Sequence, residues 1–111
     1  MKLKILSTLL LSVFFGTHLS YAEEPAKTNT VELCSEVEEL AGVIMERRQS
    51  GAPMSLLIKT AEGNEVAEKI IIEAYEKSRF STESYQKKSI ENFKSRWFLK
   101  CFKGLKALKN K

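Results

Sequence analysis

The sequence contains no aspartate and a single histidine, His18, which lies near the N-terminus. Beyond residue 18 the chain therefore lacks any Ser/His/Asp or Cys/His catalytic arrangement, and it lacks histidine-based metal sites. All 14 acidic side chains are glutamates, and they fall in charged, helix-surface patterns rather than in the apolar settings that acid–base catalysis uses. We therefore expect a protein that is not an enzyme and that has no cofactor or metal.

Long hydrophobic runs are missing except for residues 5–15. Lys2 and Lys4 precede this run, and the small-x-small site Ser20-Tyr21-Ala22 follows it, which is typical of a secretory signal peptide over residues 1–22. We predict cleavage after Ala22. An uncleaved anchor is the alternative, but the run is much shorter than the ~20 residues that a spanning helix needs. The predicted mature protein is periplasmic or secreted and has no transmembrane segment.

Cysteine is scarce, with only Cys34 and Cys101 in the chain. In an exported protein an even number of cysteines predicts a disulfide, and only one intramolecular pairing is possible. The closed loop of about 68 residues would stabilise the fold by roughly 4 kcal/mol in the loop-entropy model. A redox pair is the alternative, but such pairs usually have much closer spacing.

Apolar residues recur at threes and fours in four segments, which predicts four helices. After a polar leader (residues 23–29), the helical domain spans residues 30–111. Asn29 or Thr30 is the expected cap of the first helix, Ser55 of the second and Asn64 of the third. The predicted segments are residues 30–48, 54–61, 65–77 and, after Ser81 or Thr82, a last helix to about residue 108. The second segment is short, and its Leu56-Leu57-Ile58 run is also compatible with a strand.

The predicted disulfide restricts how these helices are arranged. Cys34 falls in the first turns of the first helix, and Cys101 falls in the last turns of the fourth. An up-down-up-down arrangement brings those two ends together without straining the chain. The sequence therefore predicts an all-α fold, a small four-helix up-down bundle closed by one disulfide, after a signal peptide.

Charge is distributed unevenly along the predicted mature chain. Residues 23–83 carry 7 basic and 13 acidic side chains, whereas residues 84–111 carry 9 basic side chains and one acid, Glu91. The last helix thus combines lysines with Phe93, Trp97, Phe98 and Phe102. A basic amphipathic helix of this kind can lie on an anionic membrane or lipopolysaccharide surface. The candidate binding residues on this helix are Lys100, Lys103 and Lys106.

The alternative for the last helix is that its aromatic residues form the core of the bundle, its lysines form the solvated face, and the acidic first and third helices supply the counter-charge. Nucleic acid is not an expected partner, because an exported protein encounters little of it and the composition does not single out phosphate backbones.

A second candidate binding group is the Arg47-Arg48-Gln49 turn, which concentrates hydrogen-bond donors at a helix end and could hold a carboxylate of a partner. Its alternative is a cationic last turn that suits the helix dipole and stops at Gly51. Met54 with the Leu56-Leu57-Ile58 run likewise forms either a partner groove or core.

Four short motifs resemble a group of small exported two-cysteine proteins of Proteobacteria and their prophages. They are the helix around Cys34, the Arg48-Gln49-x-Gly51 turn, the Ala74-Tyr75 pair of the third helix, and Phe93 with Cys101 on the fourth. The resemblance spans about residues 34–101. It implies that the cysteine pair is the frame of the fold, and it implies no activity. Length, helix content and a single disulfide are also similar to the acid-stress chaperones of the enteric periplasm, although their cysteine spacing is not matched.

These observations favour a non-enzymatic exported binding module that contacts a protein or an anionic envelope component. The predicted surface combines the Arg47-Arg48-Gln49 turn with the basic side of the last helix. The alternative function is a periplasmic stress chaperone. Glutamate is its only acidic side chain, so such a protein would become strongly positive below about pH 4 and expose apolar surface.

Overall fold

The computed structural model describes residues 29–109, so the predicted signal peptide, the cleavage site after Ala22 and most of the leader lie outside the described residues. The described residues form four α-helices and no strand: α1 (Thr30–Gln49), α2 (Met54–Ala61), α3 (Glu65–Glu76) and α4 (Glu83–Lys109). The predicted all-α class and the Cys34–Cys101 disulfide are confirmed. The ambiguous second segment is a helix.

Local capping signals position two of the helix starts. The side-chain oxygen of Asn29 accepts a hydrogen bond from Val31 N at 2.7 Å, and that of Asn64 accepts one from Ala67 N at 3.0 Å. Both residues satisfy backbone N–H groups that would otherwise be unpaired. The predicted bounds of α2 are confirmed, but the prediction that Ser55 caps it was wrong, because Ser55 lies inside the first turn of the helix. Pro53 occupies the N-cap position there and makes no side-chain cap hydrogen bond.

Helix α1 ends in a turn that requires glycine. Gly51 has φ of 94°, in the left-handed region that other residues rarely adopt. A Cβ atom at this position would also lie 2.9 Å from a guanidinium nitrogen of Arg79. The turn therefore lets the chain leave α1 while the loop after α3 packs closely over it.

The helices alternate in direction. Cys34, in the first turns of α1, is bonded to Cys101, in the last turns of α4, with a Cα–Cα distance of 5.5 Å. Farther along the pair, Gly42 lies against the aliphatic stem of Lys94. Helices α1 and α4 are thus antiparallel. Arg48, near the end of α1, donates to the carbonyl of Lys77 just after α3, so the C-terminal ends of α1 and α3 adjoin.

The core lies mainly among α1, α2 and α3, and α4 contributes one fully buried hydrophobic side chain, Phe93. Helix α4 has 27 residues against 20 in α1. At a rise of 1.5 Å per residue it is about 10 Å longer than α1. Its ends therefore extend past their packing partners. The buried core cluster consists of Ala41, Ile44, Met45, Leu57, Ile70, Ile71, Ala74 and Phe93.

Candidate functional site

The last three turns of α4 form a cationic, partly apolar surface, which we call the basic end of α4 (residues 97–109). No carboxylate follows Glu91 on this helix, whereas Lys100, Lys103 and Lys106 are all exposed. Leu99 lies among them with 54% of its surface exposed. Residues three and four apart are neighbours on a helix surface, so Leu99 lies next to Lys103, and Lys106 follows one turn further along the same face.

Aromatic rings lie beside these lysines. Phe98 and Phe102 are stacked, with ring centroids 5.9 Å apart and an interplanar angle of 12°. Lys106 Nζ lies 5.7 Å from the centroid of Phe102. Among the four aromatic residues in this part of α4, Phe93 is buried, whereas Trp97, Phe98 and Phe102 are only partly buried. The alternative interpretation, in which the aromatic residues form the core, therefore applies in full to Phe93 alone. The rest border the exposed basic surface.

Lys100 is held by an ion pair, unlike the two lysines that follow it. Its Nζ donates to a carboxylate oxygen of Glu73 on α3 at 3.0 Å and lies 4.3 Å from the centroid of the Trp97 ring. The other oxygen of Glu73 accepts from Arg96 at 2.7 Å. Within residues 29–109, neither Lys103 nor Lys106 forms an ion pair. Lys103 and Lys106, together with the exposed Lys109, are the lysines of the basic end that no carboxylate within residues 29–109 pairs with.

The environment of Glu73 changes its acidity. Burial disfavours the charged carboxylate, but the hydrogen bonds and positive charges of Lys100 and Arg96 outweigh this effect, and the pKa of Glu73 is lowered. The carboxylate thus stays ionised below its usual range and joins α3 to α4. Sequence reasoning missed this residue. Its position beside the apolar stripe of α3, opposite a basic helix, was the available signal.

The Arg47-Arg48-Gln49 turn is not one exposed group. Arg47 is exposed, but the guanidinium of Arg48 donates two hydrogen bonds to the carbonyl of Lys77, at 2.8 and 3.3 Å. It also lies 5.0 Å from the ring centroid of Tyr75. Tyr75 in turn donates from its hydroxyl to the carbonyl of Ala52. Arg48 therefore ties the end of α1 to the end of α3 rather than presenting its donors to solvent.

Gln49 is buried, with 2% of its surface exposed, and it fixes the loop between α3 and α4. Its amide nitrogen donates to Ser78 O at 2.9 Å, and its amide oxygen accepts from Phe80 N at 2.8 Å. Its own carbonyl accepts from Arg79 Nε at 3.1 Å. The side chain is fully used inside the molecule, so the structure does not support Gln49 as part of an exposed binding surface.

The two halves of the predicted surface are also far apart. The Arg47-Arg48-Gln49 turn lies at the C-terminal end of α1, whereas Lys103 and Lys106 lie beyond Cys101, beside the N-terminal end of α1. From residue 34 to residue 48 an α-helix rises about 20 Å. The structure does not bring the two groups together, and the basic end of α4 is the candidate binding surface that remains.

An apolar groove lies between α1, α2 and α3. It has a volume of about 510 Å³, and Leu40, Val43 and Leu56 line it. Leu57 is buried in the core, whereas Met54 and Leu56 are exposed. Of the two interpretations of this segment, core therefore applies to Leu57 and does not apply to Met54 and Leu56. Nothing in the structure shows what covers this groove.

No family model, curated protein or solved structure matches this chain. The resemblance to small exported two-cysteine proteins therefore stays a prediction. Within the described residues, no helix is both long and apolar enough to cross a bilayer, and no group of three or more potential ligands is placed to hold a metal ion.

Proposed function

We propose that this protein is a non-enzymatic exported binding module, and that the basic end of α4 attaches it to an anionic component of the cell envelope. The observation that carries the proposal is the position of Lys103 and Lys106. They lie on the same face of α4 as the exposed Leu99 and, among residues 29–109, no carboxylate pairs with either. Two lysines on one helix face with an apolar side chain match the interface of an anionic bilayer, where the lysines contact headgroups and the leucine enters the acyl boundary.

The test is co-flotation of the purified, disulfide-bonded protein with vesicles. We expect binding to phosphatidylglycerol vesicles and none to phosphatidylcholine vesicles. Because the lysines are exposed, the binding should fall steeply between 0.1 and 0.5 M salt, as the Debye length shrinks from about 10 Å to less than half of that. The double variant Lys103→Gln/Lys106→Gln should lower affinity by roughly thirtyfold, at about 1 kcal/mol per lysine near an anionic surface.

The matched control is Lys59→Gln/Lys69→Gln, which removes the same net charge from exposed positions on α2 and α3. It should leave binding within twofold of the parent. Equal losses in the two double variants would indicate that net charge alone drives the attachment. Binding that the Lys103/Lys106 variant retains in full would exclude the basic end as the contact. Failure of the parent protein to bind phosphatidylglycerol vesicles would contradict attachment to an anionic bilayer and leave a protein partner as the remaining form of the proposal.

One observation favours a second candidate function, an acid-activated chaperone. Glu73 joins α3 to α4 through Arg96 and Lys100, and protonation would break these contacts. The partly buried aromatic residues of α4 next to them would then become accessible. The test is prevention of client aggregation at pH 3 compared with pH 7, together with binding of an apolar dye. A domain that binds no dye and protects no client at pH 3 would contradict this function.

A further inference from the structure

A cavity of about 360 Å³ lies at the opposite end of the α1–α4 pair from the disulfide. Its lining comes from the end of α1, the loop after α3 and the first half of α4. It shares no lysine with the basic end of α4. The inference drawn from it therefore goes beyond the proposed envelope attachment and does not depend on it.

The inner surface of the cavity is apolar and aromatic. Met45 and Phe93, with 0% and 2% of their surfaces exposed, form its floor. Phe80 and Tyr85 form its wall, with ring centroids 5.8 Å apart and an interplanar angle of 37°. This lining suits a ligand with an apolar body. At about 30 Å³ for each water-sized group, the volume accommodates on the order of ten non-hydrogen atoms.

The rim of the cavity carries only positive charge. Lys77, Lys88 and Arg96 line it, and no glutamate does. The nearby Glu73 carboxylate accepts a hydrogen bond from Arg96 at 2.7 Å and lies 3.9 Å from Lys77 Nζ. Because the same carboxylate also pairs with Lys100, its single negative charge is shared among three cations. Lys88 forms no ion pair within residues 29–109. The rim therefore selects for an anionic group.

The wall of the cavity is built in advance of any ligand. The buried amide of Gln49 bonds to both Ser78 and Phe80, and Gln86 Nε2 donates to the carbonyl of Phe80 at 2.6 Å. These bonds fix the backbone on both sides of the Phe80 ring. Because the loop is already ordered, a ligand would not have to order it on binding, which favours affinity.

We propose that this cavity binds a small amphipathic anion of about ten non-hydrogen atoms, with its apolar body against Met45, Phe80, Tyr85 and Phe93 and its acidic headgroup at Lys88. A medium-chain carboxylate has this chemistry. An uncharged molecule of the same shape would leave Lys88 without a partner, and the positive charge of the rim would repel a cation. Gln49 acts as a positioning residue for the wall.

The experiment is calorimetric titration of the purified, disulfide-bonded protein with three probes of equal chain length, namely octanoate, octanol and octyltrimethylammonium. Octanoate should bind, octanol should bind at least fivefold more weakly, and octyltrimethylammonium should not bind. Backbone NMR shifts on adding octanoate should concentrate at residues 78–93. Equal binding of octanoate and octyltrimethylammonium, or shifts centred on residues 97–109, would overturn the proposal.

Variants at two adjacent positions, Lys88 and Ser89, sharpen the test. Lys88→Gln should weaken octanoate binding about fivefold, whereas the matched control Lys87→Gln, whose side chain does not line the cavity, should stay within twofold of the parent. Ser89→Phe, which places a ring in the cavity, should abolish binding without loss of helical circular dichroism. Octanoate binding that survives both Lys88→Gln and Ser89→Phe would exclude this site. The Lys103→Gln/Lys106→Gln variant should bind octanoate as the parent does. Failure of the octanoate proposal can therefore be distinguished from failure of the envelope proposal.

Discussion

The two ends of the α1–α4 pair are closed by different means. At one end, buried side chains and hydrogen bonds from Arg48 and Gln49 join α1 to the chain that follows α3. At the other end, a disulfide joins Cys34 to Cys101, and few side chains around it are buried. We call these the Gln49 end and the disulfide end. The comparison teaches that a covalent bond holds the helices where the core becomes too thin to do so.

The difference follows from the lengths of the helices. Helices α2 and α3 have 8 and 12 residues, and within residues 29–109 the side-chain hydrogen bonds between α3 and α4 are those of the Glu73 carboxylate with Arg96 and Lys100. Two packed helices bury less apolar surface than three or four, so hydrophobic stabilisation is smaller there. The exposed Val31 and Leu33 at the start of α1 are a consequence. The same lack of covering helices leaves the basic end of α4 accessible.

The largest expected effect comes from removing the disulfide. Cys34→Ala/Cys101→Ala should lower the free energy of unfolding by about 4 kcal/mol if the loop-entropy model applies in full. Urea unfolding followed by circular dichroism measures the change. If the two ends are as different as the structure indicates, hydrogen exchange in the variant should rise over residues 97–106 before it rises over residues 86–94. A uniform rise along α4 would mean that the Gln49 end cannot hold the helices alone.

The next effect in size is expected at Gln49 itself. Gln49→Ala removes bonds to Ser78 and Phe80 and leaves a void beside Met45, so we expect a loss of about 3 kcal/mol. Gln49→Met keeps the side-chain volume but not the hydrogen bonds, and it should recover only part of the loss. Ser50→Ala is the surface control and should change stability by less than about 0.5 kcal/mol. If Gln49→Met were as stable as the parent, packing rather than hydrogen bonding would close this end.

Much of the fold could be predicted because its signals are local. Asn29 and Asn64 cap helices within three residues of themselves, and Gly51 ends α1 through its own backbone conformation. The disulfide added one long-range restraint, which is enough to set the direction of α4 relative to α1. The error at Ser55 arose because a serine near a helix start is a typical cap, although the N-cap position is occupied by Pro53, two residues earlier.

The candidate site was less predictable, because its contacts are between residues far apart in sequence. Gln49 lies in a polar turn, which reads as surface, and only packing against Ser78 and Phe80, about 30 residues later, buries it. Similarly, nothing local distinguishes Lys100 from Lys103 or Lys106. The contact with Glu73 separates them, leaving the latter two open to a partner. A charge run indicates a surface, but the fold decides which of its members are already paired.

The smallest expected effect concerns the acid dependence of the link between α3 and the disulfide end. The pKa of Glu73 is lower in the folded protein than in the unfolded chain, so its ion pairs stabilise the fold above the unfolded pKa of about 4.5. That contribution is lost as the pH falls through the folded value. Because Arg96 and Lys100 are half-exposed, we expect about 1 kcal/mol in total.

Glu73→Gln should therefore lower the stability at pH 7 by about that amount and flatten the part of the pH dependence that lies below pH 5. Glu76→Gln, on the exposed side of the same helix, is the matched control and should leave both unchanged. Unfolding curves in urea at pH 7, 5 and 3.5 measure the difference. In the parent protein, acid should increase hydrogen exchange near residues 96–101 more than near Gln49, since the Gln49 end is held by neutral amides and by arginine. Equal acid sensitivity of the two ends would show that Glu73 is not the group that separates them.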